Sequence, residues 1–262
     1  MQIRDLCKHS GLFLGSADSY EAADVVLVGV PMDVTSCFRP GSRMGPQAIR
    51  IASDGLEEYS PHLDRELSEC SFYDGGDLEL PFGDVEKCLE KIEKVTHLLV
   101  ADQKTPFFLG GEHLISYPVV KALAEHYPGL AVLHFDAHAD LRSEYLGEVY
   151  SHATVMRRVC EVIGSSNVFQ FGIRSGTKEE FIYGRSYTNF HPYELEKGVE
   201  SCIPRLRGRP VYITLDIDVV DPAFAPGTGT PEPGGVAPGE LFGVIALLKD
   251  LRVVGFDLVE IA

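Results

Sequence analysis

Residues 131–140 read Ala131-Val132-Leu133-His134-Phe135-Asp136-Ala137-His138-Ala139-Asp140. A short, strand-forming run passes directly into two aspartates and a histidine spaced two apart. A strand that is apolar along most of its length is buried on both faces, as in a parallel sheet covered by helices. At the carboxyl end of such a strand the side chains look into the crevice where open α/β sheets bind ligands. In an extended segment residues i, i+2 and i+4 share a side, so Asp136, His138 and Asp140 are expected to converge. His134 is assigned to the other side of the strand and is expected to pack or hydrogen-bond away from them.

Working outward, two more apolar runs end in the same way. Residues 105–109 lead into Gly110-Gly111-Glu112-His113, and residues 210–216 lead into Asp216-Ile217-Asp218, followed by Val219-Val220-Asp221-Pro222. The alternation argument pairs Asp216 with Asp218. Further β-branched and aromatic runs at 25–30, 71–73, 168–173, 186–190 and 253–258 bring the count to eight. Helical patterns at 84–101, 115–125, 154–163 and 238–248 lie between them, with Asp84 as an N-cap. Eight strands alternating with helices give an α/β fold with a mainly parallel sheet covered on both faces.

The 262 residues, 45% of them hydrophobic, carry no linker-like tract and no repeat, so a single domain spanning 1–262 is expected. A formal charge of −16 disfavours nucleic acid and anionic membranes as partners and favours a small cation. The six cysteines form no CxxC pair, and residues 1–10 are charged where a secretory leader would be apolar, which fits reduced thiols in a cytoplasmic protein. No stretch approaches the ~20 apolar residues of a membrane span.

Clustered carboxylates at the rim of an apolar core repel one another unless cations are present. Two imidazoles, His113 and His138, with four carboxylates, Asp136, Asp140, Asp216 and Asp218, exceed what one transition metal takes from protein. Carboxylates can bridge two ions ~3.5–4 Å apart, so a dinuclear site is expected. The absence of thiolates and the excess of oxygen donors favour two Mn²⁺, although ligand type also admits Co²⁺, Fe²⁺ and Zn²⁺.

Taken together, GGEH, DAHAD with a following SHAT, and DIDVVDPAFAPGTGTPEPGG resemble the arginase/agmatinase (ureohydrolase) family in order and spacing. FRPGSRMGPQAIR (38–50), GLEEYSP (55–61), FGIRSGTKEEF (171–181) and FDLVE (256–260) look like its agmatinase branch. The resemblance implies a three-layer α/β/α sandwich around an eight-stranded, mostly parallel sheet and a homo-oligomer, trimeric or hexameric. It also implies that His113 and Asp140 serve one manganese, His138 and Asp218 the other, and Asp136 and Asp216 both. Water held between two such ions would supply hydroxide at neutral pH, oriented by Asp140, to attack a guanidinium carbon. Glu260 matches the residue that grips the guanidinium. Thr230 is a second candidate for that pocket, and His152 matches a proton shuttle to the departing amine. Glu112 is expected to support the ligands from behind; His9, His62, His97, His126 and His191 are taken as structural or surface residues.

The loop 141–150 lacks the asparagines typical of arginases, and its acidic character suits a second cationic end, so agmatine, hydrolysed to putrescine and urea, is the expected substrate. Glu144 and Glu148 could attract its ammonium, but each reads better as a solvated loop carboxylate. Alternatives are an arginase or guanidinobutyrase, an impaired or purely metal-binding homologue, and a two-metal phosphoesterase, for which phosphate-binding groups are few. The sequence stops two residues past Glu260, where the family continues into a final helix. A thinly covered sheet face and a frayed end beside Glu260 are therefore expected.

Overall fold

The computed structural model describes residues 3–8 and 11–262, which leaves His9 outside the described residues. In chain order the strands are β1 (Cys7–Lys8), β2 (Val25–Val30), β3 (Tyr59–Ser60), β4 (Arg65–Glu66), β5 (Phe72–Leu78), β6 (Thr105–Gly110), β7 (Ala131–Phe135), β8 (Val168–Phe171), β9 (Asn189–His191), β10 (Pro210–Asp216) and β11 (Arg252–Val259). The α-helices are α1 (Gly45–Ser53), α2 (Val85–Ala101), α3 (Ser116–His126), α4 (Val155–Ile163), α5 (Lys178–Tyr187), α6 (Glu196–Leu206) and α7 (Pro238–Leu247). β3 and β4 form a small separate hairpin. The other nine strands make one sheet in the order β1-β5-β2-β6-β11-β10-β7-β8-β9, parallel throughout except for β1.

Among the described residues the sheet is thus nine-stranded rather than eight-stranded. The addition is the two-residue β1, which pairs antiparallel with the end of β5 and is too short to register as an apolar run. The run at 186–190 is divided: Ser186 and Tyr187 end α5, and only Asn189–His191 forms a strand. Helices α1, α5 and α6 are additional to the four helical patterns of the sequence; α5 begins with a capping box, Thr177 accepting from Glu180 N and Glu180 from Thr177 N. Asp84 does cap α2, its side chain accepting from Lys87 N.

Although the central strands are apolar on both sides, their residues alternate strictly between two cores. Tyr212, Val132 and Val168 join the core under α2, α3 and α4, while Val211, Ile213, Ala131, Leu133 and Phe169 join that under α6 and α7. Helices thus cover both faces of the sheet, as the α/β/α sandwich requires. In the middle of the sheet Phe107 of β6 and Phe256 and Leu258 of β11 are only half-buried, and Phe107 and Phe256 meet edge to face. Among the described residues no helix is long and apolar enough to cross a membrane.

Candidate metal centre and substrate pocket

The carboxyl ends of β6, β7, β10 and β11 are neighbours in the sheet, so the segments that leave them meet at one place. His113 opens the 3-10 turn after β6, and the two glycines before it are sterically required. A Cβ at Gly111 would lie 2.0 Å from the backbone oxygen of Met32, and one at Gly110 would lie 2.6 Å from Val259 Cγ1. Asp216 ends β10 and caps the following 3-10 turn, its carboxylate accepting from Asp218 N at 2.9 Å. That turn, rather than strand alternation, brings Asp216 and Asp218 together. β7 likewise ends at Phe135, and Asp140 lies in the left-handed region (φ 51°), so loop geometry sets the convergence of Asp136, His138 and Asp140.

Six side chains meet here. His113 Nδ1 stands 3.0 Å from Asp136 Oδ2, 3.3 Å from Asp216 Oδ2 and 3.4 Å from Asp140 Oδ2. His138 Nδ1 stands 2.9 Å from Asp218 Oδ2 and 3.4 Å from Asp136 Oδ1. All except His138, which is about a fifth exposed, are buried. Potential ligand atoms fall into two groups that share Asp136: one contains His113, Asp140 and His134, the other His138 and Asp218.

The hydrogen bonds behind His113 fix its tautomer. Asp257 accepts from Tyr212 and from Ser116 Oγ at 2.6 Å, which commits the one hydroxyl proton of Ser116. Thr214 Oγ1, 3.1 Å from Ser116 Oγ, therefore donates to it and accepts from His113 Nε2 at 2.9 Å. Nδ1 is left facing three carboxylates; without a metal, although burial works the other way, Asp136 and Asp216 hold the ring well above its ordinary range, so Nδ1 carries a proton that a metal ion would displace. Three buried carboxylates around one imidazole call for more positive charge than its proton supplies, and imidazole with carboxylate donors suits divalent transition metals. Without one, burial and then repulsion from Asp136 push the Asp140 carboxyl up; burial and then Asp218 and Asp136 do the same to Asp216.

His134 requires a correction. Residues 134 and 136 have the same parity, and His134 faces the cluster, with Nε2 2.8 Å from Asp136 Oδ2. Gln170 Nε2 donates to His134 Nδ1 at 3.1 Å and to Ala139 O at 2.9 Å, so the proton of His134 sits on Nε2 and is given to Asp136. Burial pushes His134 down, which keeps the ring neutral. Although Asp136 is also buried, His134, His113 and His138 together hold its carboxyl well below the usual range.

A cavity of about 260 Å³ opens onto the cluster and is lined also by Cys37, Tyr145, His152, Glu180, Thr230, Glu232 and Glu260. Glu260 is buried in a left-handed conformation (φ 62°), with Oε1 accepting from His113 N at 2.8 Å. A Cβ on Gly229 would stand 3.0 Å from its Oε2, so the glycine lets the loop before Thr230 lie against this carboxylate. Burial raises the Glu260 carboxyl to about 8 in the absence of a cation. The frayed end expected beside Glu260 is not observed. Glu260 N donates to Gly111 O at 2.9 Å, Ala262 N donates to Gly227 O at 3.0 Å, and Ile261 bridges Thr228.

Glu144 and Glu148 are exposed and lie outside the pocket lining. Its acidic wall is Glu180 and Glu232, the latter 3.7 Å from His138 Nε2 and accepting from Ser175 Oγ at 2.9 Å. Glu232 lies in the quoted GTGTPEPGG segment and Glu180 in the quoted FGIRSGTKEEF segment, whereas nothing in the local sequence marks Thr35 or Gln170. Buried Glu112 accepts from Thr35 N and Oγ1, and burial raises its carboxyl to about 7.

A sheet edge carrying this cluster defines the class of the protein: residues 23–262 match the model of the arginase family, and the chain belongs to that family. Within it the chain falls in the agmatinase branch. It is 50% identical to the agmatinase of Bacillus anthracis over 96% of this chain and 88% of that protein, and 48% identical, with the same coverage, to that of Bacillus subtilis. It also superposes on the agmatine ureohydrolase of Thermoplasma volcanium with a TM-score of 0.86 and 35% identity, covering 99% and 88% of the two chains. Arginase-family ureohydrolases are binuclear-metal enzymes, in keeping with the buried His/Asp cluster.

Proposed function

We propose that this chain, as a single ureohydrolase domain, hydrolyses agmatine to putrescine and urea in the cytoplasm, as a homo-oligomer with two Mn²⁺ per subunit. The observation that carries the reading is the juxtaposition of the His113/Asp136/Asp140/Asp216 and His138/Asp136/Asp218 groups with the buried Glu260 carboxylate in one cavity. His113, Asp136, His138, Asp140, Asp216 and Asp218 would hold the ions, with Asp136 common to both. When bound, such a pair supplies Lewis acidity and a nucleophile drawn from water at neutral pH.

The remaining steps fall to the protein. Glu260 uses Oε1 to hold the His113 backbone, which leaves Oε2 for a guanidinium N–H in a charge-assisted hydrogen bond. The arriving cation favours ionisation of this carboxyl, which burial otherwise raises. Thr230 borders the same end of the cavity, and Asp140 orients the attacking water by accepting its hydrogen bond. His152 takes up a proton at Nε2 and passes it to the departing amine. A butyl chain with a terminal ammonium suits the acidic mouth marked by Glu232 better than a carboxylate would.

Urea release with Mn²⁺, measured on agmatine, arginine and 4-guanidinobutanoate, tests the assignment. Agmatine is expected to give the highest kcat/KM; preference for arginine or the guanidino acid would replace the substrate, and inactivity on all three would overturn the reading.

A further inference from the structure

The proton-carrying role of His152 depends on which ring nitrogen bears hydrogen, and the loop after β2 settles this through a residue outside the family motifs. A threonine hydroxyl has one proton to give and two lone pairs to fill. Thr35 Oγ1 gives its proton to Glu112 Oε2 at 2.7 Å, and the same oxygen of Glu112 accepts from Thr35 N at 2.8 Å, which pins Thr35 by backbone and side chain together. One lone pair of Thr35 Oγ1 accepts from His152 N at 3.1 Å. The remaining lone pair lies 3.3 Å from His152 Nδ1. Because Thr35 has no second proton, His152 Nδ1 must be the donor. In the neutral ring Nε2 then carries the lone pair, and it points towards the cavity beside Cys37 Sγ, 3.5 Å away.

We propose that Thr35, anchored by Glu112, is a positioning residue for the reaction: it holds His152 in the Nδ1–H tautomer and so presents an unprotonated Nε2 to the substrate. The inference rests on the reading of His152 as the proton carrier. Glu112 itself follows Gly111 and precedes His113, so the segment that positions one candidate metal ligand also positions the proton carrier. Replacing the hydroxyl by a methyl frees the ring to rotate or to adopt the other tautomer, without removing the Thr35 N bond to Glu112.

The test is a double-mutant cycle on agmatine with Mn²⁺, with kcat and KM measured separately for wild type, Thr35→Val, Thr35→Ser, His152→Ala and the Thr35→Val/His152→Ala pair. Thr35→Val is expected to lower kcat roughly 10- to 100-fold with KM changed less than about threefold, a part of the roughly 10²- to 10⁴-fold that positioned proton transfer supplies. Thr35→Ser, which keeps the hydroxyl, should stay within about fivefold of wild type. In the His152→Ala background Thr35→Val should cost nothing further, since its effect passes through that ring. Full kcat in Thr35→Val beside a slow His152→Ala would overturn the positioning role, as would losses that multiply in the pair. Wild-type kcat in His152→Ala would instead overturn the reading of His152 and this inference with it. Melting temperatures of all five proteins separate folding defects from slow turnover.

Discussion

His134 Nε2 lies 2.8 Å from Oδ2 of Asp136, the carboxylate common to both candidate ion positions. The bond orients Asp136 and stabilises its ionised form, the form that can ligate a metal. Replacing His134 by Ala removes this donor and orphans Gln170 Nε2 on one side. Apparent Mn²⁺ affinity, read from the metal dependence of urea release, is expected to fall about 10- to 100-fold, the usual effect of losing such a partner. An unchanged metal dependence would show that Asp136 needs no support from this ring.

Removing metal should weaken the fold as well as the activity. Asp136, Asp216, Asp218 and His113 are all nearly or fully buried, and the charges cannot be relieved by solvent. An ion that binds only the folded state stabilises it by roughly 2.7 kcal/mol at 100 times its Kd. Chelator treatment is expected to lower the melting temperature by several degrees, and Mn²⁺ to restore it. In Asp136→Asn, Mn²⁺ should restore much less; equal recovery would place the stabilising ion elsewhere.

Arg50 on α1 is fully buried and gripped at two points by Asp74 of β5, Nε to Oδ2 at 2.7 Å and the terminal nitrogen to Oδ1 at 2.8 Å. Removing one partner of a buried pair strands the other, at a cost of about 3–5 kcal/mol. Asp74→Ala should therefore shift the urea-denaturation midpoint sharply or prevent accumulation of folded protein. A loss below about 1 kcal/mol would mean that Asp77, which also meets Arg50, suffices alone.

The parts of this molecule that were legible in the sequence share one property: their signal is local. Buried strands such as β7 and β10 announce themselves as apolar runs, and Asp84 precedes a clear amphipathic helix. The metal-type residues cluster because three strand ends each carry several. Thr35 and Gln170 could not be found this way, since each acts on the centre through a partner distant in the chain: Thr35 on His152 and Gln170 on His134. The antiparallel β1 was hidden for a related reason, being two residues whose only structural meaning is the end of β5 they pair with. The placement of His134 was a matter of parity, readable from residues 134 and 136 themselves.

Burial, reinforced by repulsion from His138, pushes His152 down to about 4. The folded pKa thus lies below the ordinary value near 6.5, so the unfolded chain binds a proton that the folded protein refuses. Stability associated with this ring is complete above pH 6.5 and is lost as pH falls towards 4. A shift of this size corresponds to roughly 3 kcal/mol in full. Unfolding free energies of metal-free wild type and His152→Gln at pH 7 and pH 4.5 measure it directly. Wild type should lose about 2 kcal/mol more than the variant over that interval, because glutamine has no proton to gain. Parallel losses in the two proteins would mean that His152 titrates alike in the folded and unfolded states, and so is not held neutral by its surroundings.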